Sequence, residues 1–365
     1  MKLRYFLLIL IILQSCQKND GFIDEPINET MLYFPPLDSE DWDAKTIESL
    51  NWNVSATNDL YDFLSQHGTR GFILLSEGKI VIEKYWGNNI QNSASFDKNS
   101  NWYWASAGKT LTAFLVGIAQ ERGLLTIDNK TSEYLGANWS GLTSEKEDLI
   151  LVRHQLSMTT GLDYDVSNPD CTSPDCLQYK ADAGTQWYYH NAPYTLLEDV
   201  VSIAASQSYN EFTNLTVASN IGMHGSWIPL EYNNVYWSSP RDAARFGLLL
   251  LNKGKWLDNQ IMSDMNYYNA MISPSQLLNP SYGFCTWLNG QSAIILPGFT
   301  SSFNLPLSID APSDLFAAMG KNGQFIDVVP SRKIVVIRMG EAPDNSLVPT
   351  AFHNDMWKKI NAIIN

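Results

Sequence analysis

Ser106 and Lys109, the ends of the tetrad Ser106-Ala107-Gly108-Lys109, form an S-x-x-K. Residues three apart share one face of a helix, so the lysine can reach the serine hydroxyl. As a neutral amine it can take the hydroxyl proton and leave an oxygen nucleophile. The spacing alone is weak, because Ser76 with Lys79 and Ser95 with Lys98 match it too. Those pairs fall in a turn between two β-rich runs and in a polar loop. Only Ser106 opens a long apolar run, SAGKTLTAFLVGIAQE, that reads as a helix over 106–121. The first N–H groups of such a helix can face a developing negative charge. To serve as a base near neutral pH, a lysine pKa must fall by roughly 3 from about 10.4, a cost of about 4 kcal/mol. A neighbouring carboxylate would oppose that change, and burial would favour it. No acidic residue lies between Asp97 and Glu121, and Trp102, Tyr103, Trp104 and Phe114 flank the tetrad. A capped helix start with a snorkelling lysine is the bland alternative.

Other chemistries find less support. Gly108-Lys109-Thr110 ends like a phosphate-binding loop, but the first glycine of G-x-x-x-x-G-K-S/T would have to stand where Tyr103 does. No G-x-S-x-G occurs, so a nucleophile elbow is unsupported. Cys171 and Cys176, in SNPDCTSPDCLQ, can close a small disulfide in an oxidising compartment. A metal pair is disfavoured, since no histidine stands nearby in zinc spacing. Cys285, in YGFCTWL, reads as a buried strand residue. The formal net charge of -14 and pI near 4.7 argue against nucleic acid. A chain that is 45% hydrophobic and 12% aromatic is not disordered.

The elements that must position the tetrad are legible in outline. Residues 58–67 read as a short helix ending at Gly68, and 71–76 with 80–86 as a hairpin turning at Glu77-Gly78-Lys79. From about 125 to 275 the chain reads as helices and long loops, with helices expected at 145–157, 193–208 and 240–253. Strands return at 281–288, 315–320, 324–329 and 333–338, and 350–364 reads as a closing helix. Strands at both ends around a helical middle predict an α+β fold: an antiparallel sheet built from N- and C-terminal segments, flanked by helices, with an inserted helical region.

The first residues read as an address. Lys2 and Arg4 precede nine apolar residues, 5–13, too few for the about 20 that span a bilayer. Leu13-Gln14-Ser15-Cys16 resembles a bacterial lipobox, which makes 1–15 a lipoprotein signal peptide, Cys16 the lipidated residue and 16–31 a polar tether. Loss of the two cations Lys2 and Arg4 takes the net charge from -14 to -16. The expected location is the bacterial cell envelope, anchored to a membrane through that lipid.

At this point the chain resembles the serine β-lactamase and penicillin-binding-protein superfamily. It looks most like the branch related to class C β-lactamases, with its esterases, D-amino-acid peptidases and 6-aminohexanoate-oligomer hydrolases. The resemblance covers about 32–365 and rests on ILLSEGKIVIEKYW, WYWASAGKTLTAFLVGIAQERGLLTID, LILVRHQLSMTTGLDY and RDAARFGLLLLNKGKW. It implies a hydrolase domain whose α/β part spans about 58–124 and 278–365 and whose helical part spans about 125–277. The family's second motif, Y-x-N, matches Tyr189-His190-Asn191, with His190 as a spacer. Its third, K-T-G or a variant at a late strand edge, matches Lys321-Asn322-Gly323, followed by Gln324. Asn in place of Thr departs from the lactamase pattern and weighs against efficient β-lactam hydrolysis.

The resemblance implies that Ser106 forms an acyl-enzyme, that Lys109 and Tyr189 move its protons, and that the Ser106 and Gln324 amides form an oxyanion hole. Asn191 would orient the network, and Lys321 would add positive field. Neither a metal nor an organic cofactor is implied, and the substrate would be a small molecule or short oligomer with an ester or amide bond. A non-catalytic envelope receptor for peptidoglycan fragments or oligomers is the alternative, although a pure binder has no need of a Ser–Lys pair.

Overall fold

A computed structural model describes residues 32–364. The expected signal peptide, the expected lipidation site Cys16 and the expected tether lie outside the described residues. The N-terminal helix is α1 (Thr57–Gln66), and the hairpin is β1 (Thr69–Ser76) with β2 (Lys79–Tyr85). Glu77 and Gly78 both take positive φ at its turn, the backbone that a tight hairpin requires. After β3 (Trp102–Tyr103), a single 3-10 turn over Ala105–Ala107 feeds α2 (Gly108–Glu121). Short helices α3 (Ser132–Leu135), α4 (Ser144–Glu147) and α5 (Val152–Leu156) precede α6 (Asn191–Ala205), α7 (Tyr209–Thr213) and α8 (Ser219–Ile221). The helix expected at 145–157 is therefore two pieces.

The chain continues through β4 (Gly225–Leu230), β5 (Asn233–Ser238), α9 (Pro240–Leu251), β6 (Lys255–Trp256), β7 (Asn259–Gln260) and α10 (Met265–Met271). It ends in β8 (Trp287–Leu288), β9 (Phe316–Gly320), β10 (Gln324–Val329), β11 (Ile334–Gly340) and α11 (Thr350–Ile364).

The main sheet has the order β2-β1-β11-β10-β9-β8, with every neighbouring pair antiparallel. The N-terminal hairpin joins the C-terminal strands through β1 and β11, with Phe72 opposite Arg338 and Leu74 opposite Val336. β10 and β11 are buried along their whole length because helices cover both faces. On one face α9 packs so closely that a Cβ on Gly247 would lie 2.5 Å from Val335 Cγ1. On the other, His353 Nε2 and Trp357 Nε1 of α11 meet Asp327 Oδ2 at 2.8 and 2.7 Å. Neighbours on a strand point to opposite faces, so Ile326 meets α9 while Asp327 meets α11. α9 starts where Ser239 and Asp242 cap each other reciprocally around Pro240.

Two elements differ from the sequence reading. The strand expected at 281–288 shrinks to Trp287–Leu288, because Gly283 N–H donates to the Thr286 carbonyl and curls the segment. Cys285 is buried, but it sits in that curl with φ 47°, not in a strand. The mostly helical middle also carries the β4–β5 hairpin, which adds to β3 as a three-stranded sheet in the order β3-β5-β4. Pro229 masks β4 in the sequence, since proline within a run argues against a central strand. β4 is the sheet's edge, where a missing N–H is tolerated.

Candidate active site

The turn that carries Ser106 is shaped by backbone strain and sheet contact. Ala105, just before Ser106, has φ 48°, uncommon for a residue with a side chain. Gly320, the last residue of β9, lies against this turn: a Cβ there would come within 2.4 Å of the Trp104 carbonyl oxygen and 3.0 Å of Ser106 N. Ser106 is half-buried, while Lys109 is only 4% exposed. Lys109 Nζ donates to Ser106 Oγ at 3.1 Å. It also lies 4.0 Å from the centroid of the Tyr194 ring and 5.3 Å from that of Tyr189. Burial pushes its pKa down to about 8. The two decoy pairs differ in kind: Lys79 meets Asp43 at 2.8 Å and Lys98 meets Glu40 at 2.5 Å, both at the surface.

Tyr189 is brought to the same place by the loop ahead of α6. Its hydroxyl is buried without a completed hydrogen bond among the described residues, with Ser106 and Tyr282 as its polar neighbours. Burial raises its pKa, so the phenol keeps its proton at neutral pH. The ring stacks on Trp287 at 5.8 Å, and Trp187 and Tyr282 complete an aromatic wall. Trp187 and Trp287 are thus core residues behind the site. Tyr188 stacks on Tyr164 at 3.6 Å, and Trp237 packs against Tyr103. Asn191 Nδ2 donates to Asp170 Oδ1 at 2.8 Å, and its Oδ1 is buried and unpartnered among the described residues. His190 is buried beside them, and burial lowers its pKa to about 4.

Lys321-Asn322-Gly323 forms the turn between β9 and β10, not a strand edge. Asn322 and Gly323 have φ 64° and 73°, which explains asparagine where threonine was the family pattern: it tolerates the left-handed region. Asn322 Nδ2 donates to the Tyr103 hydroxyl at 2.8 Å. Lys321 is exposed and makes no ion pair among the described residues. The Gln324 side chain faces β11, donating to the Gly340 carbonyl at 2.7 Å and accepting from its N–H at 3.0 Å. Gln324 pairs with Gly320 in register. Gly320 is the late-strand residue that directly abuts Ser106 N.

Several residues of this site escaped the sequence reading. Arg338 is fully buried and donates to the carbonyls of Asn322, Gly323, His67 and Glu341, which pins the turn. A lone arginine inside IVVIRMG was the available signal. Asp170, Glu198 and Cys285 are the groups whose negative forms would raise the Lys109 pKa. Burial holds the Glu198 carboxyl up at about 8 and the Cys285 thiol up at about 12. Glu198 Oε2 accepts from Asn234 Nδ2 at 2.6 Å. Nothing local in the tetrad's own sequence points to these three. The described residues contain no group of three or more His, Cys, Asp and Glu side chains that could hold a metal.

A serine and a buried lysine at the start of a helix packed on an antiparallel sheet define a serine hydrolase centre of the β-lactamase and penicillin-binding kind. Comparison with known proteins agrees: the Beta-lactamase family model matches residues 63–345, and the chain belongs to that family. It is 24% identical over 326 residues to an uncharacterized protein of Alkalihalophilus pseudofirmus, covering 81% of this chain and 89% of that one. Two solved structures share the fold. One, from Bacillus anthracis, is assigned as a 6-aminohexanoate-dimer hydrolase (TM-score 0.63, 17% identity, 82% of this chain and 81% of that one). The other is a family VIII carboxylesterase (TM-score 0.65, 14% identity, 89% and 99%).

Proposed function

We propose that this protein is an exported, lipid-anchored hydrolase that cleaves an ester or amide bond through an acyl-enzyme on Ser106. One observation carries the reading: a lysine only 4% exposed, with its pKa lowered to about 8, donates to a half-open serine hydroxyl at 3.1 Å. At pH 7 about one tenth of such lysines are neutral, enough to serve as a base. Lys109 takes the Ser106 proton as Oγ attacks the carbonyl carbon. Tyr189, protonated at rest, gives its proton to the leaving group and takes the one held by Lys109; in deacylation the water's proton passes through the same pair to Ser106 Oγ as the acyl bond breaks. The Ser106 amide receives the developing oxyanion at the flank of Gly320, and one such donor is worth about 3–4 kcal/mol. Export is supported by the basic start, apolar run and Cys16 of the sequence, and by the Cys171–Cys176 disulfide.

The test is an intact-mass measurement after incubation with a fluorophosphonate, alongside turnover of a short-chain p-nitrophenyl ester. Wild type should gain one adduct and hydrolyse the ester, and Ser106→Ala should do neither while keeping its circular dichroism. An unmodified wild-type protein would favour the receptor alternative. Ester hydrolysis surviving in Ser106→Ala would move the nucleophile elsewhere.

A further inference from the structure

We propose that Tyr194 is a positioning residue of this site: its ring face supports the ammonium that Lys109 becomes when it accepts the Ser106 proton. The inference rests on the hydrolase reading above and adds a residue to its proton-transfer machinery. Tyr194 stands in the first turn of α6 and is buried. Lys109 Nζ lies 4.0 Å from its ring centroid, well within the about 6 Å over which an aromatic face attracts a cation. The ring is fastened there. Its hydroxyl shares a 3.0 Å hydrogen bond with Thr112 Oγ1, and Tyr209 donates to the same oxygen at 2.8 Å. Thr112 is fully buried and stands three residues after Lys109, on the same face of α2. The tyrosine is thus tied at its hydroxyl one turn further along α2 and offers the lysine its face. From the other side, buried Gln155 Nε2 donates to the Pro193 carbonyl at 2.7 Å and holds the start of α6 in place.

Two tyrosines divide the surroundings of the base. Tyr189 has Ser106 beside its unpartnered hydroxyl, and its ring centroid is farther from Nζ, at 5.3 Å. Tyr194 has its hydroxyl tied to Thr112, so the ring face is what it presents. The other titratable groups that act on Lys109 are Glu198 from α6, Asp170 from the loop ahead of α6 and Cys285 from the curl before β8. Among the described residues none of these forms an ion pair or a hydrogen bond with Nζ, whose bonded partner is Ser106. The reaction creates a cation at this place. Ser106 loses the proton on Oγ as that oxygen bonds the carbonyl carbon, Lys109 gains it, and the carbonyl oxygen takes the electron pair. An ammonium has three N–H donors, of which Ser106 accounts for one. The ring attracts that charge without being an anion, which would lock the amine in its protonated form. Tyr194 therefore leaves Lys109 a stronger base than burial alone would. It raises the rate reached once the amine is neutral, and also the pH at which that happens.

The experiment varies the ring face and little else. Tyr194→Phe is the reference, because it keeps the face and gives up the hydroxyl. Phenylalanines of increasing fluorination, placed at position 194 by suppression of a stop codon, weaken the face stepwise at nearly constant size. Tyr194→Leu removes it, and if that variant fails to fold the fluorinated series still decides. Each protein is read as kcat/KM for a neutral p-nitrophenyl ester against pH. Weakening the face should move the acid limb to lower pH, by about one unit for Tyr194→Leu, the tenfold worth of one buried cation–ring contact. The plateau above the limb should fall about threefold, since the transition state carries only part of the new charge. The profiles should therefore cross: a weakened ring is faster below the limb and slower above it, in order of fluorination. A ring that merely fills space would lower both arms together and leave the limb in place.

Limbs that agree within about 0.2 pH units across the fluorinated series overturn the proposal, as does a loss of plateau with no gain on the acid side. Either result alongside Ser106-dependent hydrolysis by wild type sinks this inference and spares the hydrolase reading. A wild type that hydrolyses no ester and takes no fluorophosphonate sinks both.

Discussion

Replacing Lys109 by methionine should abolish turnover and, at neutral pH, make the protein more stable. Holding a lysine at about 8 instead of 10.5 penalises its charged form by about 3 kcal/mol, because each pKa unit is worth about 1.4 kcal/mol. Methionine removes that penalty at similar length. It also forfeits the 3.1 Å bond to Ser106 and the contact with the Tyr194 ring, about 1–2 kcal/mol together. The expected net gain is therefore about 1–2 kcal/mol at pH 7. The sign depends on pH. Below about 8 the lysine is charged in both folded and unfolded chains, and wild type bears the whole penalty. Between about 8 and 10.5 the folded protein has lost the proton that the unfolded chain still holds, so wild type gains stability as pH rises. The gap to Lys109→Met must shrink across that window. Urea unfolding of both proteins at pH 7 and at about 9.5 reads both quantities. A variant less stable than wild type at pH 7 by more than about 1 kcal/mol, or a gap that ignores pH, would refute the account of Lys109 as a desolvated base.

Activity should follow the same group: kcat/KM for a neutral ester should climb as pH rises through about 8 and then level, and a profile flat from pH 6 upward would take Lys109 out of the base role. Arg338→Met should destabilise by at least about 3 kcal/mol in urea unfolding, since the carbonyls of Asn322, Gly323, His67 and Glu341 lose their buried donor together. Arg338→Lys should rescue little, because an ammonium cannot reach acceptors spread around a planar fork.

What the sequence disclosed about this site is what lies within one helical turn or one hairpin. Ser106 and Lys109 are three residues apart, and Glu77-Gly78 marks its turn by residue type. The late turn is instructive because two signals compete in it. Asn322-Gly323 is a hairpin dipeptide, and the backbone uses it as one, with both residues at positive φ. The family resemblance assigns its third motif to the same residues, at the point where the chain reverses. The residue that touches the Ser106 amide is the preceding glycine, whose lack of a side chain has no meaning until β9 is packed against the turn.

The electrostatics were illegible for a deeper reason. An acid-free stretch between Asp97 and Glu121 describes the chain's own neighbourhood, yet the groups that influence Lys109 arrive from the loop at 170, from α6 and from the curl at 285. Burial then acts on all of them in one direction, toward neutrality. It draws the lysine down to about 8, lifts Glu198 to about 8 and lifts Cys285 to about 12. Burial alone draws the Lys109 pKa down, and no cation is among the groups that act on it.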